Sequence, residues 1–416
     1  MANLLLKNCQ GIAQINRQEN GKPSPFLRGK KMSDLPFLHD AWLLIENGEI
    51  KDFGPSASCP DRAEKILDAN GRWVLPSFCD SHTHLVFAKP RSKEFVARIQ
   101  GKDYAQIAVE GGGILNSARH LTEIPSEKLL EDALERIQEI VKLGTGLVEI
   151  KSGYGLSPEG ELKMLRIIRD LKEQSPIPIK ATFLAAHALP VSYKNDKAGF
   201  LRLMIDEVLP QVAAEGLADY VDIFCETGFF SSDDTTSLLE AALKHQLKGK
   251  IHTNQFTHIG GIEAAHGSGA LSVDHLEVLN DSEIELLASS ELIPTLLPQA
   301  PFFLNDEHFP PMRKMIDRSL GFALASDFNP GSSPSGNMQF VLSLSCIKGR
   351  ITPEEALNAA TYNGACALES QDTYGSIDRG KKANLILTKP MQELSELPYY
   401  FGTDMVEKTI INGKVI

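Results

Sequence analysis

Residues 179–187 read IKATFLAAH, a short apolar run that stops on an imidazole. The pattern recurs along the chain. FALASD closes on Asp327, GKIHT carries His252, LSVDH ends on His275, and WVLPSFCDSHTH leads into His82 and His84. A (β/α)8 barrel places catalytic groups in this way, because the C-terminal ends of its strands converge on one face. The strand candidates are 73–79, 145–150, 179–186, 219–225, 249–252, 271–275, 292–297 and 321–326. Eight strands with helices between them favour a closed TIM-like α/β barrel over an open doubly wound sheet.

The intervening segments carry helical periods. Leu129, Leu130, Ala133, Leu134, Ile137 and Val141 mark one helix face that Gly144 can stop. Ser157 and Pro158 open another helix, with Ser as N-cap and Pro at the first helical position. The second strand follows a long excursion, 85–144. Its glycine run at 111–113 reads as a mobile loop near the mouth and a candidate lid.

The two ends differ from the middle. LLIENGEI (43–50), LDANGRWVLP (67–76) and TIINGKVI (409–416) each place Asn-Gly between β-formers, a strong short hairpin signal. Residues 1–74 and 375–416 are therefore expected to form one small β-sandwich domain, with the barrel spanning 75–374. The polar stretch from Asn16 to Asp40 reads as a long loop within the small domain.

Composition narrows the function. At 416 residues, a large domain with an accessory one is expected. A net charge of −12 without a basic stripe argues against a nucleic-acid or anionic-membrane partner. The basic clusters near residues 29–31 and 379–382 read as solvated loop tips. No apolar run approaches the ~18 residues of a membrane span, and the N-terminal run is too short for a secretory signal. The six scattered cysteines form no C-x-x-C pair and fit a reducing cytoplasm.

His82 and His84 alternate along an extended segment, so both imidazoles point to one side. With His252 and Asp327 they make three imidazoles and one carboxylate at separate strand ends. That set suits Zn2+ or a non-haem iron, and water on such an ion has its pKa lowered to about 7.

PSFCDSHTH, His252 and SDFNPG with Asp327 resemble the amidohydrolase superfamily, a barrel carrying a small β-sandwich. The whole barrel resembles the imidazolonepropionase family within it. The segments are HTHLVFAKPRSKEF (82–95), GGGI (111–114), EIKSGYGLSPEGELKML (149–165), FLAAHALP (183–190), DIFCETG (222–228), SVDHLE (272–277) and ALASDFNPGSSP (323–334). The resemblance implies one Zn2+ or Fe3+ per chain on His82, His84, His252 and Asp327. It implies a small-molecule substrate, a homodimer, and hydrolysis of the cyclic amide of 4-imidazolone-5-propanoate to N-formimidoyl-L-glutamate in histidine breakdown.

Arg91, Tyr154, His187, Asn329, Gly331 and Ser332 match substrate-contact positions, and His275 matches the candidate general base. His187 and Gln255 are further catalytic candidates, Gln255 also as a substrate contact. Arg91 offers a forked donor for a carboxylate. His187 is expected to donate to a developing oxyanion. His275, at a pKa near neutrality, is expected to carry a proton from water to the leaving nitrogen. Asp274 and His275 are neighbours on a strand and are not expected to pair.

Two positions depart from the wider superfamily. Strand 4 ends on Cys225 and Glu226, with no lysine to become a carbamylated bridge, so a single metal is expected. Gln255 stands where many relatives carry Glu, and a carboxamide takes up no proton at pH 7. That disfavours a nucleobase deaminase. Another mononuclear amidohydrolase of carboxylate-bearing cyclic amides or formimidoyl compounds is the alternative enzyme, and a non-catalytic amidohydrolase-like binding protein is the alternative outside catalysis.

Overall fold

The computed structural model describes residues 3–19, 22–102, 106 and 112–416, so of the expected lid glycines Gly111 lies outside the described residues. The eight parallel strands of the barrel are Phe78–Asp80 (β1), Thr145–Lys151 (β2), Ile179–Ala186 (β3), Tyr220–Cys225 (β4), Lys248–Thr253 (β5), Ser272–His275 (β6), Ile293–Leu296 (β7) and Ala323–Leu324 (β8). They are hydrogen-bonded in sequence order. The seam between β8 and β1 closes just beyond the strands. Asp327 N donates to His82 O at 3.0 Å, His84 N donates to Phe328 O at 2.9 Å, and Thr83 bridges Phe328 in parallel.

Helices cover the outside as the periodicity requires. Ser126–Lys142 buries Leu129, Ala133, Ile137, Ile140 and Val141, and it ends before Gly144, whose φ of +101° few side chains tolerate. Ser157 caps Pro158–Gln174 by accepting from Gly160 N at 3.1 Å. No helix among the described residues is long and apolar enough to cross a membrane.

Strands from both ends of the chain make a second, mostly antiparallel sheet with its own core, including Leu6, Ile12, Leu43, Val74, Leu385 and Ile410. The expected sandwich takes the form of one sheet that branches at Leu4–Ala13. Leu385–Thr388 pairs with Trp73–Pro76, which joins the C-terminal segment to the N-terminal one.

Four expectations need correction. The run 73–79 is two strands: Trp73–Pro76 belongs to the terminal sheet and Phe78–Asp80 to the barrel. The handover is at Ser77, whose N donates to Asn384 O while Phe78 N donates to Gly144 O. Asn47-Gly48 and Asn412-Gly413 do turn hairpins, but Asn70-Gly71 does not, because Lys65–Asp68 and Trp73–Pro76 both run parallel to Leu4–Ala13. The stretch 16–40 is no free loop: Leu27 and Met32 are buried in the barrel's core, and Leu27 N is held by Asn363 Oδ1 at 2.9 Å. Lys381 is buried rather than solvated, with its ammonium on Ser376 Oγ and near Asp378. A buried cation persists only when so partnered.

Candidate metal centre and active site

The strand ends bring the expected ligands together. His82 Nε2 and His84 Nε2 are 3.3 Å apart, and His252 Nε2 lies 3.3 Å from His84 Nε2. Asp327 Oδ1 stands 3.6 Å from His82 Nε2 and 3.7 Å from His84 Nε2. An ion holding ligands at ~2.1 Å in a tetrahedron separates them by ~3.4 Å, close to these four separations. The three imidazoles form one group able to hold a metal ion, and Asp327 stands at its edge. Burial depresses all three imidazoles well below their usual pKa, which keeps them neutral and fit to ligate. Burial raises the Asp327 carboxyl to about 7.

The far sides of these rings face carboxylates. Asp274 Oδ2 lies 2.6 Å from His82 Nδ1, and Asp222 Oδ2 lies 2.9 Å from His252 Nδ1. The second contact is bent away from hydrogen-bond alignment. Such partners fix the tautomer and orient the ligating nitrogen. Below them Lys151 pairs with Glu149 and Asp222, and Lys250 pairs with Glu149. Burial alone would lower the Lys151 pKa, but Asp222, Glu149 and Asp274 together raise it above its ordinary value. Sequence reasoning assigned none of the five groups to this layer. Their signal was charge placed inside apolar strand runs, as in YVDIFC and LVEIK, where it must be partnered.

Above the ligands opens a cavity of about 1000 Å³ that also takes in Arg91, Tyr154, His187, Gln255, His275, Asn329, Gly331 and Ser332. Arg91 caps the helix Ser92–Ile99, and its Nε and Nη2 donate to Glu94 Oε2 at 2.8 and 2.5 Å. Glu94 is itself buried and also accepts from Gly113 N at 2.9 Å. Arg91 Nη1 passes close over Gly331, where a Cβ would sit 2.4 Å from it. Arg91 was expected to offer its fork to a substrate carboxylate; it pairs with Glu94 and also faces the cavity.

His187 differs from expectation in its chemistry. Its Nδ1 lies 3.1 Å from the carbonyl of Gly153, which only accepts, so Nδ1 carries the proton. Enclosure lowers its pKa to about 4, so the neutral ring presents Nε2 as an acceptor rather than the oxyanion donor anticipated. Tyr154 packs beside it, ring centroids 5.6 Å apart.

His275 keeps company the sequence did not reveal. Its Nδ1 is 3.1 Å from Glu277 Oε1. Burial alone would lower its pKa, but Glu277, then Asp327 and Asp274, raise it to about 9 rather than near neutrality. A cation on the adjoining ligands would oppose that rise. Asp274 and His275 are not bonded to each other, yet strand alternation is not the cause. At His275 φ is +86° and at Leu276 +65°, so the backbone turns out of the strand and aims His275 into the cavity. Such conformations cost ~1–3 kcal/mol each and collect at functional sites.

Asn329 organises the loop after Asp327. Its Oδ1 accepts from Gly331 N and Ser332 N, and its Nδ2 donates to Asp327 O and Ser332 Oγ. All four of its hydrogen-bonding positions are occupied within the loop. Glu226, at the end of β4, accepts from Thr227 N, Phe256 N and Thr257 N and so braces the loop that carries Gln255.

The sequence profile of the amidohydrolase family matches residues 73–416. The chain belongs to the amidohydrolase family. Proteins named imidazolonepropionase resemble this amidohydrolase along its full length. One from Christiangramia forsetii is 51% identical, covering 99% of this chain and 100% of the relative. Another, from Alkaliphilus metalliredigens, is 36% identical, covering 100% and 98%. Among solved structures, a zinc-bound adenosine deaminase from Xanthomonas campestris superposes with a TM-score of 0.73 at 17% identity, covering 100% of this chain and 92% of that one. Guanine deaminase from Escherichia coli gives 0.72 at 16%, covering 99% and 98%. These two likenesses speak for the amidohydrolase fold alone.

Proposed function

We propose that this amidohydrolase hydrolyses the ring amide of 4-imidazolone-5-propanoate to N-formimidoyl-L-glutamate, with one Zn2+ or Fe3+ ion held by His82, His84, His252 and Asp327. The observation that carries the reading is that one cavity, lined by Arg91, reaches His84, His252 and Asp327, with His82 directly behind them in the imidazole cluster. The full-length relatives named imidazolonepropionase support it.

A bound ion would supply Lewis acidity and lower the pKa of water at the cavity floor. The remaining work falls to the chain. Arg91, held by Glu94, takes the propionate carboxylate in a charge-assisted contact. Tyr154 and the neutral His187 line the ring's position, and His187 Nε2 accepts a ring N–H. His275, turned into the cavity with Nδ1 on Glu277, takes the proton from water as its oxygen bonds to the ring carbonyl carbon. The tetrahedral carbon then expels the ring nitrogen. The C–N bond breaks, and His275 returns the proton to that nitrogen, so the net change is addition of one water.

Gln255 lines the cavity without acid–base capacity, which assigns the proton work to His275 and speaks against nucleobase deamination. The test is loss of imidazolone absorbance when metal-analysed protein meets freshly made 4-imidazolone-5-propanoate. Metal-dependent turnover is expected. No turnover by protein holding one metal per chain would retire this substrate and favour another carboxylate-bearing cyclic amide.

A further inference from the structure

The interior of a (β/α)8 barrel is ordinarily filled by branched apolar side chains. Beneath the ligand cluster this barrel instead packs Glu149 and Lys151 from β2, Asp222 from β4, Lys250 from β5 and Asp274 from β6, all fully buried. Removing five ionisable groups from water is expensive, and an apolar set of similar volume is commonly as stable or more so. Stability is therefore a poor reason for this layer.

Geometry supplies a better one. Lys151 Nζ lies 2.8 Å from Glu149 Oε1, 2.9 Å from Asp222 Oδ2 and 3.5 Å from Asp274 Oδ2. Asp274 Oδ2 is also the atom 2.6 Å from His82 Nδ1, and Asp222 Oδ2 is also the atom 2.9 Å from His252 Nδ1. The two oxygens that face ligand imidazoles thus both lie within ion-pair distance of the Lys151 ammonium, which also holds Glu149 Oε1, although Asp222 Oδ2 makes no aligned hydrogen bond. Lys250 differs. Its ammonium reaches Glu149 Oε2 at 2.6 Å and Ser81 O at 3.0 Å, and it makes no ion pair with Asp222 or Asp274.

We propose that Lys151 is a positioning residue for the metal centre: its ammonium, shared between Asp222 and Asp274, fixes the two carboxylates that aim His252 and His82. The inference rests on the reading of His82, His84, His252 and Asp327 as a metal site. It gives a strand-2 lysine a part that needs neither carbamylation nor contact with the ion.

The test measures zinc affinity of the full-length protein by competition with a chelator, and the visible spectrum of its cobalt form. Circular dichroism of the metal-free variants checks folding. Lys151→Met is expected to bind zinc about 10–100-fold more weakly, the usual effect of losing an outer partner, and to alter the cobalt bands. Lys250→Met removes an equally buried charge and is expected to retain zinc affinity within about threefold, since it leaves both carboxylate links intact.

Wild-type zinc affinity in folded Lys151→Met would overturn the proposal. So would an equal loss in Lys250→Met, which would point to the buried charge layer as a whole. If Lys151→Met fails to fold, Asp222→Asn removes one link while Lys151 keeps Glu149 and Asp274. Unchanged zinc affinity there overturns the proposal as well. A wild-type protein that binds no zinc and no cobalt would instead overturn the metal-centre reading.

Discussion

The backbone amide of Asp327 donates to the carbonyl of His82 at 3.0 Å, so two proposed metal ligands 245 positions apart in sequence are joined by the hydrogen bond that closes the barrel. Closing the β8–β1 seam therefore also sets Asp327 beside His82 and His84. A φ of +53° at Asp327 turns its side chain inward there, a conformation Asp tolerates better than most residues. Asp327→Ala is expected to cut metal content sharply and to lower kcat/KM by about a thousandfold or more, since an ion's Lewis acidity supplies several kcal/mol to the transition state. Metal analysis and steady-state rates on the same preparation check this.

At Asp327, a proposed ligand, protons are expected to compete with metal. Its carboxyl is raised from 3.8 to about 7 by burial, and only the ionised form ligates. Apparent zinc affinity is expected to fall more steeply below pH 7 than above it, by about tenfold per pH unit for the proton taken up at Asp327. Zinc titrations between pH 5.5 and 8.5, in roughly half-unit steps, would show the slope. A flat profile would remove Asp327 from the ligand set.

Glu277 sets the working range of His275. The pair at 3.1 Å favours the imidazolium, so Glu277→Gln lowers the His275 pKa from its raised position. The base then stays deprotonated to lower pH. The acid limb of kcat/KM is expected to move down by about one pH unit or more, the usual effect of removing an opposite charge. An unmoved limb in a folded, metal-loaded variant would separate His275 from proton transfer.

Arg91 is expected to act on binding more than on chemistry. Losing a hydrogen bond to a charged group costs about 1.5–3 kcal/mol, so Arg91→Met should raise KM by about 10–100-fold with a smaller change in kcat. Gly331→Ala should move in the same direction, because its Cβ would meet Arg91 Nη1 at 2.4 Å and displace the guanidinium. A substrate analogue without the carboxylate should lose its sensitivity to both changes.

The sequence by itself determined the barrel and the proposed ligand positions on it. Apolar runs ending on His82, His84, His252 and Asp327 carry both messages at once, because a parallel strand buried on both faces is mostly apolar and its C-terminal end faces the mouth. Local chemistry was equally legible where it is local: Ser157-Pro158 opens a helix, and Asn47-Gly48 turns a hairpin.

What the tertiary structure alone decided is partnership between distant residues. Asp274 serves His82, 192 positions away, rather than its neighbour His275. The φ of +86° that turns His275 toward the cavity breaks the alternation on which strand reasoning rests. Lys151, Lys250 and Lys381 are each buried against partners that the sequence does not name. Periodicity reports which face of an element is apolar. Charge pairing inside a closed barrel depends on which strands stand across from one another, and only closure fixes that.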